Sequence, residues 1–263
     1  MSEIIRTIKK KDIVTSLLHI LFNLLMAGGS LGLVLLFPDS PWAAIGLVIV
    51  SKFRVFAVKP RFWAPNILSN LTDFIFCAGI VLLVWGAELG SGSEVLIYQL
   101  VLTVLYALWL IFLKPLTKPA PVVLQAGLSQ FVGLVALFSV ADYLSAPLVT
   151  LFSFGIGFAA ARHVLMLHKE RQYTLLALVW GLVLAELGFL GYHWSLTYNF
   201  GGLIHIPEVA VVAMILAFVT EKFYNSYRAN EGRIKQDDVL LPTFFGAVAL
   251  LLILVFFSGL IGF

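Results

Sequence analysis

Residues 45–68, IGLVIVSKFRVFAVKPRFWAPNIL, decide the fold: an apolar run gives way to Lys52, Arg54, Lys59 and Arg61 before the next apolar run opens. Basic residues gathered in a short elbow between apolar spans mark a cytoplasmic connection between two membrane helices, because Lys and Arg are retained on the inner side. With this elbow set inside, every other Lys and Arg of the chain can be set there too.

Composition requires the same solvent. A chain of 263 residues could fill one large soluble domain. With 61% hydrophobic and 12% charged residues and a mean hydropathy of +1.01, it would have too little polar surface to cover that domain. Lipid takes the place of water around most of it. The formal net charge of +3 sits in short clusters between apolar spans, so it points to membrane topology and not to a nucleic-acid partner. Cys77 is the only cysteine, which excludes an intrachain disulfide and a cysteine metal cluster. Lys9, Lys10 and Lys11 precede an apolar stretch as in a signal peptide. The stretch 17–37 is too long for a signal core and lacks a small-residue cleavage site, so it is expected to remain as the first helix.

Hydropathy and turn residues predict an all-α integral membrane protein of about nine transmembrane helices, at 17–37, 41–56, 67–87, 95–113, 122–140, 148–167, 174–192, 208–223 and 239–261. Residues 1–16 form a cytoplasmic N-terminal segment and 17–263 a single polytopic transmembrane domain. The second span is the short one, covering about 24 Å at 1.5 Å per residue against roughly 30 Å of hydrocarbon. Charge argues for it nonetheless: with the N-terminus inside and the C-terminus outside, all 17 Lys and Arg fall on the inner side. Omitting the second span would separate the basic elbow from the N-terminal lysines. The expected location is the plasma membrane of a prokaryote.

Two polar groups lie at membrane depth. Asn66, Asn70, Asp73 and Cys77 are spaced four, three and four apart, which sets them on one face of the third helix. Arg162 and His163, one turn before the inner end of the sixth helix, complete an inner cluster in which Asp73 and Arg162 are expected to pair. Gln125 and Gln130, five apart on the fifth helix, are expected to hydrogen-bond separately. The outer cluster is Glu186 and His193 on the seventh helix with His205 and Glu208 at the start of the eighth. Two imidazoles and two carboxylates around one connection form a donor set that a divalent metal could use. Without HExxH or paired Glu-x-x-His segments, no cofactor is expected. Gly28-x-x-x-Gly32, and Gly155 with Gly157, predict close helix packing.

Function is much less legible than fold. No nucleophile elbow, phosphate loop or dinucleotide fingerprint is present. The expectation is a small-solute or proton-coupled transporter centred on Glu186, which stands about 18 Å along its helix. A noncatalytic scaffold or accessory subunit of a membrane complex is the alternative, and an intramembrane enzyme of unknown reaction a third. The expected partners are the lipid bilayer with a small solute or proton, or, in the second reading, a membrane protein or another copy of the chain.

Overall fold

A computed structural model describes residues 2–88, 94–194, 196–200 and 204–256; residues 89–93 and the expected end of the last span at 257–261 lie outside the described residues. The protein is an all-α, multi-pass membrane protein. Its helices are α1 (Ser2–Leu36), α2 (Trp42–Ser51), α3 (Trp63–Glu88), α4 (Glu94–Leu108), α5 (Pro119–Ser139), α6 (Ala146–Leu167), α7 (Tyr173–His193), α8 (Glu208–Ala229) and α9 (Gln236–Phe256). Among the described residues, eight helices are long and apolar enough to cross a membrane, and α2 is a shorter apolar helix. They gather into two compact units, Met1–Gln125 and Ala126–Phe263, with the boundary inside α5.

In the first unit, α1 packs beside α2 and α4, and α3 beside the same two helices. Ala27, Ser30 and Val34 form the narrow buried stripe of α1, while Leu21, Phe22, Leu25 and Leu36 are exposed, as a lipid-facing surface requires. The helix begins at Ser2, well before the expected 17, because no Gly or Pro interrupts it ahead of Gly28. By contrast, α2 stops at Ser51, short of the expected 56, and gives way to a single tighter turn over Phe53–Val55. Ten residues rise only about 15 Å, so turns complete this limb beyond Ser51. The elbow is then closed by Trp63, whose indole N–H donates to the carbonyls of Phe56 at 3.2 Å and Val58 at 3.0 Å.

The expected close contact at Gly28 and Gly32 does not form: a Cβ at either would meet nothing within 4 Å. Gly29 is the glycine that faces α2, with Leu47 3.4 Å from its Cβ position. The motif therefore lies beside the packed face and not on it.

In the second unit, α6 and α7 form the tightest pair. A Cβ on Gly157 would come within 2.7 Å of Leu184, one on Gly181 within 3.0 Å of the Phe154 ring, and one on Gly188 within 2.2 Å of Ser153. Glycine at these three positions permits the approach. Gly155, grouped with Gly157 in the sequence reading, has open space at its Cβ position. The connection before α8 contains an antiparallel hairpin of β1 (Thr197–Phe200) and β2 (Ile204–Pro207). Its signal was the β-branched and aromatic residues on either side of Gly201-Gly202. At the other end, α8 runs on to Ala229, and the chain reverses at Glu231 and Gly232, with φ of 53° and 87°. Gly232 adopts this left-handed backbone at no steric cost. Ser226 ties the reversal together by donating to Asp238 at 2.7 Å and accepting from the Lys235 amide at 3.0 Å.

Candidate functional site: two acids at membrane depth

Asp73 lies ten residues into α3, about 15 Å from the start of the helix. Its side chain is 14% exposed, so an unpaired carboxylate here would be costly. Lysines from two elbows meet it. Lys52, just past the end of α2 and 10% exposed, donates to Oδ2, and Lys114 reaches the same oxygen at 2.9 Å. Oδ1 accepts the indole N–H of Trp109 at 2.9 Å, and Cys77 stands 3.6 Å from it, one turn on along α3. Both oxygens of the carboxylate are therefore engaged.

The end of α4 is shaped for this arrangement. Residues 109 and 114 would stand about 140° apart on an α-helix. Here Trp109–Leu113 forms a wider π turn, closed by the Lys114 amide on the Trp109 carbonyl at 2.8 Å. This spacing brings the two side chains round to one face, where both reach Asp73. The Trp109 ring stacks on Phe76 at 3.7 Å between centroids, which fixes the indole behind its hydrogen bond. Gln125 then donates to the carbonyls of Leu113 at 2.6 Å and Leu116 at 2.9 Å, satisfying acceptors at the end of α4.

Asp73 was expected to pair with Arg162. Asp73 belongs to the first unit, and its ion-pair partners there are Lys52 and Lys114. Arg162, buried in the second unit, lies over the Tyr173 ring at 5.7 Å, and His163 beside it is half-buried. Asn70 donates to the Asn66 carbonyl at 2.9 Å, one turn back on its own helix. Of the expected inner set, Asp73 is placed in the Lys52 and Lys114 cluster, with Cys77 beside it. Trp109, Lys52 and Lys114 escaped notice because the lysines served only as topology markers. Their signal was position: each stands at the C-terminal end of a helix adjoining α3 in sequence, within reach of an acid nearly three turns into α3.

Glu186 stands at comparable depth in the second unit, thirteen residues into α7, and its surroundings are different. Gly181, Leu184 and Gly188 face α6, and Glu186 lies about 140–200° round the helix from them. Its side chain is exposed. It lines an open groove of about 460 Å³ with Thr150 of α6 and Leu182, Ala185, Phe189 and Leu190 of α7. Apart from Glu186 and the Thr150 hydroxyl, which donates to the Ala146 carbonyl at 2.9 Å, the walls are apolar.

The other outer residues point to separate surroundings. His193 ends α7 with its ring against Phe189 and Tyr192, at 4.6 and 5.3 Å between centroids. His205 is exposed on β2, opposite Asn199. Glu208 opens α8 with its Oε1 buried and without a hydrogen-bond partner among the described residues. Among the described residues, no three His, Cys, Asp or Glu side chains are grouped to hold a metal ion.

Elsewhere in the second unit several polar side chains link neighbouring elements. Gln130 accepts from Trp180 at 2.9 Å and donates to the Ala213 carbonyl at 3.2 Å, linking α5, α7 and α8. Gln125 donates to the Leu113 and Leu116 carbonyls, so the two glutamines hydrogen-bond to different groups. At the turn after α6, Glu170 accepts from Tyr224 at 3.0 Å and His168 contacts Arg228. Burial and the Arg228 charge hold the His168 imidazole below the usual histidine range.

Comparison of the chain with protein-family models, with curated proteins and with solved structures finds no match.

Proposed function

We propose that the protein is a membrane transporter for protons or a small solute, with Glu186 as the ionisable group of its path. The observation that carries this reading is the exposed Glu186 carboxylate in an apolar groove at membrane depth. An acid at the centre of a helix costs about 2.5 to 3.5 kcal/mol on insertion scales, and such residues mark ion and proton pathways. A carboxyl group can both carry and release a proton, which is the chemistry that a proton path requires. The proposed topology is nine crossings with the N-terminus inside and the C-terminus outside, in a prokaryotic plasma membrane.

The test is flux in vesicles reconstituted at matched protein density. Wild type should move protons or a candidate solute above empty vesicles, and Glu186→Gln should fall to that background. Equal rates for the two proteins would remove Glu186 from the path.

A second reading, a noncatalytic subunit of a membrane complex, is favoured by Gly28 and Gly32, whose open flanks on α1 could admit a helix from a partner. Copurification of a stoichiometric membrane protein, with flux at background, would establish it over transport.

A further inference from the structure

The inner end of the first unit carries more positive charge than it can neutralise. Lys52, Arg54, Lys59 and Arg61 follow α2, while Lys114 and Lys118 follow α4. The two elbows converge, because Lys52 and Lys114 share one oxygen of Asp73. One carboxylate balances one ammonium and leaves the other uncompensated. Lys114, at 40% exposure, is the more open of the pair. Arg54, Lys59, Arg61 and Lys118 are exposed and form no ion pair among the described residues.

Most of the apolar residues between these charges are exposed as well. Phe53, Phe56, Val58, Phe62 and Trp63 are each at least 39% exposed. Trp63 is held by its hydrogen bonds to Phe56 and Val58 and by its edge-to-face contact with Phe56, so the elbow is a built turn that presents rings and cations together. A soluble anion would use the cations and leave the rings in water. A phospholipid uses both, with its phosphate among the cations and its glycerol and upper chains against the rings.

We propose that the 52–63 elbow, with Lys114 and Lys118, is a binding site for the headgroup of an anionic phospholipid in the adjoining leaflet. The charge selects a net-negative headgroup over a zwitterionic one, and the aromatic residues set the elbow at headgroup depth. The site is independent of the Glu186 pathway.

The test uses the full chain in mixed micelles containing equal amounts of phosphatidylglycerol and phosphatidylcholine, with the lipid that copurifies analysed for headgroup. Wild type should be enriched in phosphatidylglycerol, and the enrichment should decline as sodium chloride is raised. Arg54→Gln/Lys59→Gln/Arg61→Gln removes three exposed cations and leaves Lys52, Lys114 and Asp73 in place. At about fivefold per basic residue, it should weaken phosphatidylglycerol binding roughly 100-fold. Should that variant fail to fold, Lys118→Gln alone should still lower the preference about fivefold.

A bulk lipid ratio on the wild type, or enrichment unchanged in the triple variant, overturns the proposal. Inorganic phosphate provides the remaining arm: displacement of the lipid at equal concentration would assign the site to a free anion instead, and no displacement supports the lipid.

Discussion

Asp73 and Glu186 are both carboxylic acids on long apolar helices, each about two turns or more from either helix end, yet the two units treat them in opposite ways. Asp73 receives two lysines and an indole N–H, and the α4 end changes its helical spacing so that two of the three can reach it. Glu186 is turned away from the glycine seam of α7 into a groove whose walls offer it little. Depth in the membrane therefore does not by itself mark a site. The surroundings decide whether an acid holds the structure together or remains available for chemistry.

The largest effect should come from Asp73→Asn. Removing the carboxylate leaves Lys52 and Lys114 without their counter-charge, and breaking a buried pair in this way costs about 3 to 5 kcal/mol. Denaturation of the purified protein in detergent should show a loss of that order. A shift below about 1 kcal/mol would mean that Asp73 is no more structural than Glu186, and the contrast would fail.

Sequence made the fold class legible because lipid leaves its mark on the long apolar spans. The depth of Asp73 and its place on one face with Cys77 could also be read from spacing. Its partners could not. Arg162 looked suitable because it too lies within a helix, whereas Lys52 and Lys114 looked like ordinary elbow residues. Their reach depends on α2 ending early and on the π turn of α4, neither of which follows from hydropathy. Gly28 and Gly32 failed for a related reason: spacing reports that two glycines share a face but not whether a neighbour stands there.

The seam that orients Glu186 should be nearly as sensitive as the Asp73 cluster. A Cβ at Gly188 would meet Ser153 at 2.2 Å, and overpacking of this kind costs about 1 to 3 kcal/mol, so Gly188→Ala should lower the melting temperature. Gly155→Ala has open space and gains helix propensity, and it should be neutral or stabilising by up to about 1 kcal/mol. Equal responses would show that α6 and α7 are not locked as described, and the direction assigned to Glu186 would lose its basis.

The two lysines allow a finer cut. Lys52→Met should destabilise by about 1 to 2 kcal/mol, since Asp73 retains Lys114 and Trp109. Lys114 is 40% exposed, so water screens its ion pair and Lys114→Met should cost less than about 1 kcal/mol. The reverse order in equilibrium unfolding would put the buried end of the cluster at Lys114.

Glu186→Gln should have the smallest effect on stability. The carboxylate has no ion pair among the described residues, and the neutral amide keeps its size, so unfolding should change by no more than about 0.5 kcal/mol. Because an exposed charge at membrane depth is costly, the change could even stabilise slightly. The same substitution removes the one acidic group among the residues that line the groove. Stability and flux should therefore separate at this residue: melting unchanged and transport lost. A loss of stability comparable to that of Asp73→Asn would show that Glu186 has a structural partner and belongs with Asp73. Unchanged melting with unchanged flux would leave it an exposed acid outside any pathway, and the groove would then be better assigned to the surface of a membrane complex.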